Sequence, residues 1–138
     1  MPIETDQDII DLLTGAKTIA MVGASDRPDR ASFGVMAFLQ SKGYRVIPVN
    51  PQLAGKAIHG EPVLGALAEI EGKIDIVDIF RNSGAAGAVI DDAIGVGAGA
   101  VWTQLGVYDD EAVARAEAAG LKAVVNRCPK IEIPRLGL

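Results

Sequence analysis

The stretch Lys17–Gly34, KTIAMVGASDRPDRASFG, contains the features that decide the fold. Its first part, Lys17–Gly23, is a short apolar run closed by glycine, which is typical of a buried strand. The polar segment Ala24–Ser32 contains Pro28 and predicts a loop. From Phe33 to Lys42 apolar residues recur at helical spacing. A strand, a glycine-containing turn and a helix in this order form the opening unit of an α/β domain.

The same sequence patterns in the rest of the chain predict four further helices and four further strands. The predicted helices are the first fourteen residues, capped by Thr5 or Asp6, a short stretch around Val63–Ile70, Ser83–Val96 and Asp109–Ala119. The predicted strands are Arg45–Val49, Asp75–Phe80, Ala100–Gln104 and Leu121–Val125. The last thirteen residues are expected to form an irregular tail.

Strands that alternate with helices predict a parallel sheet covered on both faces. The predicted strands are continuously apolar, which is typical of strands with helices on both sides. With right-handed crossovers, we expect a three-layer, Rossmann-like, doubly wound α/β fold with five main strands in the order 3-2-1-4-5. A ligand crevice should then lie at the carboxyl ends of the strands, near strand 1. The length fits a single domain spanning residues 1–138.

Composition limits the classes of partner that the chain can bind and indicates the cellular compartment in which we expect it. The net charge of −5 argues against generic nucleic-acid binding, which needs a basic face. No apolar run approaches the roughly 20 residues of a membrane helix, so we expect no membrane partner. The single cysteine, Cys128, cannot form an internal disulfide, and the absence of a secretory leader favours the cytoplasm. A monomer and a homodimer are both compatible with the apolar composition.

The loop after the first strand is in the right position to bind phosphate. Gly23 permits a tight turn, and the next helix points its N-terminal amides at the crevice. Gly34, in the first helical turn, allows a ligand or a neighbouring strand to approach closely. The donors that this loop offers are the hydroxyls of Ser25 and Ser32 and the guanidinium groups of Arg27 and Arg30. The alternative interpretation is an ordinary surface loop with solvated arginines.

Two absences bear on the identity of the ligand. The loop lacks the G-x-G-x-x-G spacing of dinucleotide-binding enzymes, and the second strand ends at Asn50-Pro51, where an NAD site has Asp or Glu. Lys56 follows a few residues later, and a cation there suits a ribose that itself carries a phosphate. Coenzyme A has a 3′-phosphate and NADP a 2′-phosphate, so both remain candidates, whereas NAD fits poorly.

No catalytic constellation is evident. His59 is the only histidine and has no carboxylate partner in the pattern, so we expect it to be exposed or to form a structural hydrogen bond. A lone Cys and a lone His lack the spacing of metal ligands. Cys128 is expected to be structural, with a mixed disulfide to the thiol of coenzyme A as the alternative. We predict no catalytic residues and no metal site.

Five segments in order are similar to those of a known family. They are Val22–Ser25 (VGAS), Gly43–Pro51 (GYRVIPVNP), Ile74–Arg81 (IDIVDIFR), Val101–Val107 (VWTQLGV) and Asn126–Glu132 (NRCPKIE). The chain resembles small stand-alone CoA-binding proteins, which are similar to the N-terminal domain of the succinyl-CoA synthetase α subunit. The ordered set spans almost the whole chain and is more specific than any one segment.

This resemblance implies that coenzyme A, or a short acyl-CoA, lies across the carboxyl ends of the strands. It implies a phosphate turn formed by Gly23, Ala24 and Ser25 and completed by Arg27, Arg30 and Gly34. It further implies that Val49, Asn50 and Pro51 flank the adenosine, that Lys56 meets a phosphate, that Phe80 and Arg81 border the adenine or the pantetheine arm, and that Thr103 and Gln104 face the same crevice.

The family is not known for a reaction of its own, so the resemblance implies non-catalytic binding of a small nucleotide-type ligand. Two alternatives remain open. One is an NADP- or other nucleotide-binding enzyme component that acts with a partner protein. The other is an interaction protein whose ligand site is vestigial.

Overall fold

The computed structural model describes all 138 residues. In chain order, the elements are α1 (Asp6–Gly15), β1 (Thr18–Val22), α2 (Ala31–Ser41), β2 (Arg45–Val49), β3 (Ala57–Ile58), β4 (Glu61–Pro62), β5 (Ile76–Ile79), α3 (Ser83–Gly95), β6 (Ala100–Thr103), α4 (Asp110–Ala118), β7 (Lys122–Val124) and α5 (Pro129–Arg135), with 3₁₀ helices at Pro51–Leu53 and Leu67–Glu69. Five strands form one parallel sheet, and β3 and β4 form a separate antiparallel hairpin. The predicted Rossmann-like α/β fold is confirmed. None of the helices has the length and apolar character that crossing a membrane requires.

Both faces of the sheet are buried, because the strand residues alternate between two apolar clusters. In β5, Ile76 packs with residues of α1, α2 and α5, whereas Val77 and Ile79 pack with residues of α3 and α4. The continuous apolar runs in the sequence therefore reflect burial on both sides.

The strand order is β2-β1-β5-β6-β7, so the predicted order 3-2-1-4-5 is wrong for the third main strand. That strand, β5, lies beside β1, where Ile19 is in register with Ile76, and not outside β2. The position of β5 is determined by the face of the sheet on which the connection from β2 to β5 runs. Leu67, in the connection from β2 to β5, packs in the cluster of α3 and α4, opposite the face covered by α2. A right-handed crossover on that opposite face carries the chain back past β1.

Two further predictions need correction. Only Leu67–Glu69 of the predicted helical stretch Val63–Ile70 is helical, and the β3–β4 hairpin, Ala57–Pro62, ends just before that stretch. The turn of this hairpin contains His59 and Gly60, both with positive φ, as a tight two-residue hairpin turn requires. The predicted irregular tail contains α5, which starts at Pro129 and buries Ile133 against the α1–α2 side of the sheet. Proline is favourable at the first position of a helix, so Pro129 begins this helix instead of preventing it.

Candidate functional site

A cleft of ≈ 590 Å³ opens at the carboxyl ends of β1, β2 and β5, where the winding of the sheet reverses. Ten of the fourteen predicted site residues line it, namely Gly23, Ala24, Ser25, Arg27, Arg30, Val49, Asn50, Pro51, Phe80 and Arg81. The remaining lining residues are Val22, Asp26, Ala31, Ser32, Gln52 and Leu53. Gln52 and Leu53 were not predicted, although they directly follow the Asn50-Pro51 break and belong to the 3₁₀ helix there.

The turn after β1 is enclosed by the ends of its two neighbouring strands. The Gly23 amide donates a hydrogen bond of 3.0 Å to the carbonyl oxygen of Val49 in β2. On the other side, a Cβ at position 23 would collide with the carbonyl oxygen of Phe80 after β5. Gly23 also has a φ of 87°, which is costly for residues with a side chain. Only glycine therefore fits this turn without displacing the backbone.

The side chain of Asn50 forms hydrogen bonds to two segments that line the cleft. Its Nδ2 donates to the carbonyl oxygen of Ala24 over 2.9 Å, and its Oδ1 accepts from the amide of Gln52 over 2.9 Å. In the same loop, the Ser25 hydroxyl accepts from the amide of Arg27 over 3.1 Å. Asn50, which stands where an NAD site has a carboxylate, thus links the β1 turn to the segment after β2.

The arginines of the cleft differ from the other arginines of the chain. Arg45, Arg115, Arg127 and Arg135 each form an ion pair with a carboxylate. The three arginines with no such partner are Arg27, Arg30 and Arg81, and all three line the cleft. Asp26 is the one carboxylate among the lining residues. The cleft is consequently cationic in a chain whose net charge is −5.

The N-terminus of α2 contributes further donors to the cleft. Ala31 and Ser32, in its first turn, line the cleft, and Arg30 at the N-cap position supplies no side-chain acceptor for the helix amides. The N-termini of α1, α3 and α4 are instead capped by the side chains of Thr5, Asn82 and Asp109. Helix N-terminal amides attract anions, so α2 adds to the positive potential of the arginines.

Two predicted residues lie beside the cleft and not in its wall. Gly34 is in the first turns of α2 and faces α5, since a Cβ there would be 3.8 Å from Nζ of Lys130. Lys56 is exposed in the turn that leads to β3, where its amide donates to the carbonyl oxygen of Leu53. The phosphate-binding role of Lys56 stays a prediction.

Thr103 and Gln104 were expected to face the crevice, but neither is among the residues that line the cleft. Both are buried. The Thr103 hydroxyl accepts from the Asn126 amide over 3.1 Å, and Gln104 Nε2 donates to Oδ1 of Asp78 over 2.6 Å. At the end of β6, Thr103 therefore bonds to the loop after β7, and Gln104 bonds to Asp78 of the neighbouring strand β5.

Asp78 is a functional candidate that does not belong to the fourteen predicted site residues. It is fully buried in the centre of the sheet, and its Oδ2 has no hydrogen-bond partner. Burial raises the pKa of Asp78 to about 7, and the hydrogen bond from Gln104 acts against this rise. The available signal was a carboxylate in the middle of the apolar strand Asp75–Phe80.

His59 and Cys128 both lie outside the cleft. The His59 ring is 4.1 Å from the Phe33 ring, and its Nε2 is 2.8 Å from the Phe33 carbonyl oxygen, so it fastens the hairpin to α2 by the expected structural hydrogen bond. Cys128 is buried at the start of α5, and burial raises the pKa of its thiol. No three His, Cys, Asp or Glu side chains converge as metal ligands would.

Comparisons with known proteins agree with this geometry. Residues 17–134 match a family described as CoA binding domain. The uncharacterized protein YneT of Bacillus subtilis is 37% identical over 124 residues, which cover 90% of each chain. A hypothetical protein from Pyrococcus horikoshii superposes with a TM-score of 0.92 at 39% identity, covering 100% of this chain and 97% of the other. A protein of Thermus thermophilus gives a TM-score of 0.92 at 34% identity, covering 96% and 99%.

Proposed function

Because the chain belongs to the CoA binding domain family, we propose that it binds coenzyme A or a short acyl-CoA in the cleft of β1, β2 and β5. The observation that carries this proposal is the grouping of Arg27, Arg30 and Arg81, which have no carboxylate partners, around a turn that only glycine fits.

The charge of the cleft suits the charge of the ligand. Coenzyme A carries a diphosphate and a 3′-phosphate, and guanidinium groups bind phosphate oxygens through paired, charge-assisted hydrogen bonds. The three arginines and the uncapped N-terminus of α2 provide donors on two sides of the β1 turn. An anion bound there also relieves the repulsion among these unpaired cations.

The shape of the cleft suits a nucleotide. Its volume of ≈ 590 Å³ lies in the range of small-molecule sites. Val49, Pro51 and Leu53 give one side an apolar surface against which an adenine ring can pack, whereas the β1 turn and α2 give the other side its donors. In this arrangement the phosphates lie at Gly23–Ser25 and the adenosine lies toward the segment after β2.

We further propose that the chain acts by binding alone. The side chains that line the cleft include no histidine, cysteine or lysine, and its only titratable acid is Asp26. The single histidine is held by Phe33 at the hairpin. Incubation with acetyl-CoA should therefore leave the thioester intact, and release of free thiol above the rate without protein would overturn this part of the proposal.

Titration calorimetry tests the proposed ligand directly. We expect heat of binding with coenzyme A and acetyl-CoA and a much weaker response to NADPH, which is the ligand of the alternative nucleotide-enzyme interpretation. Absence of measurable heat with either CoA compound at millimolar concentration would refute the proposal. Native mass spectrometry of the purified protein adds an independent readout, since a copurifying ligand reports identity and stoichiometry together.

A further inference from the structure

The buried face of α2 has a polar residue at its N-terminal end. Ser32, Val35, Met36 and Leu39 are the buried residues of this helix, and their spacing of three and four positions places them in one stripe. The three apolar members pack in the cluster on the α1–α2 side of the sheet, together with Ala24 of the β1 turn. Ser32 continues the stripe to the cleft and forms part of its wall. A polar side chain therefore stands in a position where the rest of the stripe is apolar.

The hydroxyl of Ser32 differs from the hydroxyls of the other three serines. Those of Ser25, Ser41 and Ser83 each take part in a hydrogen bond within the protein, although none of these residues is buried. Ser32 is only 4% exposed, and its hydroxyl has no such bond. The one fully enclosed polar side-chain atom without a partner is Oδ2 of Asp78, so the Ser32 hydroxyl is not enclosed and opens into the cleft. Because buried polar groups are nearly always paired, this arrangement indicates a ligand atom as the partner of the hydroxyl.

The position of Ser32 selects one part of the proposed ligand. In the proposed arrangement the adenosine and its 3′-phosphate lie toward the segment after β2, whereas the diphosphate lies at Gly23–Ser25. Ser32 is on the diphosphate side, because it lies in the first turn of α2, and the buried face of this helix packs with Ala24. The amides of the same turn receive no side-chain acceptor from Arg30 at the N-cap position. A phosphate oxygen placed there meets the hydroxyl and the helix amides together.

We propose that the Ser32 hydroxyl donates a hydrogen bond to an oxygen of the 5′-diphosphate of bound coenzyme A. This inference rests on the proposed function and adds to it a residue that recognises the diphosphate and not the 3′-phosphate. A bond from a hydroxyl to a charged phosphate oxygen is charge-assisted. In the free protein the same hydroxyl is largely removed from water without gaining a protein partner, so it contributes to binding and not to stability.

Two measurements on the Ser32→Ala variant test this role. In calorimetry, the variant should bind coenzyme A about 10-fold more weakly than the wild-type protein, the effect of one hydrogen bond to a charged group. The loss should be the same factor for dephospho-coenzyme A, which lacks the 3′-phosphate but keeps the diphosphate. In urea denaturation without ligand, the midpoint of the variant should equal or exceed that of the wild-type protein. Alanine is the better helix former, and the deleted hydroxyl has no protein bond to lose.

Ser41→Ala is the matched control, because Ser41 lies in the last turn of the same helix and its hydroxyl donates to the carbonyl oxygen of Phe38. Its affinity for coenzyme A should equal that of the wild-type protein, and a loss as large as that of Ser32→Ala would overturn the proposal. A lowered urea midpoint for ligand-free Ser32→Ala would show a structural role instead. A larger loss for coenzyme A than for dephospho-coenzyme A would assign the contact to the 3′-phosphate and refute the diphosphate assignment.

Calorimetry of the wild-type protein separates this inference from the proposed function. If the wild-type protein binds coenzyme A and Ser32→Ala binds it equally tightly, the partner of the hydroxyl is solvent, and the role of Ser32 alone is refuted. Absence of binding by the wild-type protein refutes the proposed function.

Discussion

Gln104 Nε2 donates a hydrogen bond of 2.6 Å to Oδ1 of Asp78, while Oδ2 of the same carboxyl group has no partner. Asp78 lies on β5, in register with Met21 on β1 and Trp102 on β6, and is fully buried. One amide donor does not replace the solvation that a carboxylate loses in this environment. Protonation of Asp78 is therefore coupled to folding.

The pH dependence of stability should show this coupling. The pKa of Asp78 is raised from 3.8 to about 7 by burial, so between these values the folded chain binds more protons than the unfolded chain. The free energy of unfolding therefore falls as pH rises through this interval. Above the interval, the effect of Asp78 on the free energy of unfolding is constant. A difference of about 3 in pKa corresponds to about 4 kcal/mol in the free energy of unfolding.

The substitution Asp78→Asn isolates this effect from the other titrating groups. We expect the free energy of unfolding of the wild-type protein to fall relative to that of the variant by up to about 4 kcal/mol between pH 4 and pH 7. Urea denaturation at several pH values measures the free energy of unfolding of the wild-type protein and of the variant. Parallel stability profiles for the two proteins would show that Asp78 does not titrate in this interval.

The elements of the fold could be predicted where local patterns determine them. The five main strands and the helices after β1, β5 and β6 follow from apolar runs and helical spacing. The position of β5 was wrong because it depends on the face on which Leu67 packs, which no local pattern records. The helix α5 was missed because Pro129 and Pro134 resemble breakers, although its stability comes from burial of Ile133.

The cleft could be predicted largely because it is formed by residues that directly follow strands. The turn after β1 and the ends of β2 and β5 meet at one edge of a parallel sheet whichever side β5 occupies. Thr103 and Gln104 also follow a strand, but the loop after β7 covers them through the bond from the Asn126 amide to the Thr103 hydroxyl. Covering of this kind depends on tertiary contacts between residues about twenty positions apart in the chain.

Gly23→Ala should destabilise the protein and abolish binding of coenzyme A. A side chain at position 23 combines a φ of 87° with a collision against the Phe80 carbonyl oxygen. We expect a loss of at least about 2 kcal/mol in the free energy of unfolding. Gly72→Ala is a matched control, because Gly72 has a φ of 89° but open space around its Cα, and should cost only about 1 kcal/mol. Equal losses in urea denaturation would show that the turn is not closely packed.

Arg81→Ala should weaken binding of coenzyme A by about 10- to 100-fold, the equivalent of a charge-assisted hydrogen bond to phosphate. Arg45→Ala is the matched control, because Arg45 is an exposed arginine at the start of β2, at the opposite end of the parallel sheet. In calorimetry, the Arg45→Ala variant should bind coenzyme A with the affinity of the wild-type protein. The affinity of the wild-type protein for coenzyme A should also fall with added salt, since exposed charges are screened. Equal losses in the two variants would exclude a specific contact at Arg81.

Lys56 lies outside the cleft wall but close to it, in the turn that follows the 3₁₀ helix Pro51–Leu53. An adenosine packed against that helix directs its 3′-phosphate toward this turn, so Lys56→Ala should weaken coenzyme A more than dephospho-coenzyme A, which lacks this phosphate. Because Lys56 is exposed, the expected loss is only about two- to fivefold for coenzyme A.

Lys122→Ala controls for the general loss of positive charge, because Lys122 is an exposed lysine at the start of β7, at the opposite end of the sheet. It should leave the ratio of the two affinities unchanged. If Lys56→Ala weakens both ligands equally, Lys56 does not contact the 3′-phosphate. The arginines of the cleft would then have to account for any preference for the phosphorylated ribose, and the ratio measured for Arg27→Ala and Arg30→Ala would show which of them does so.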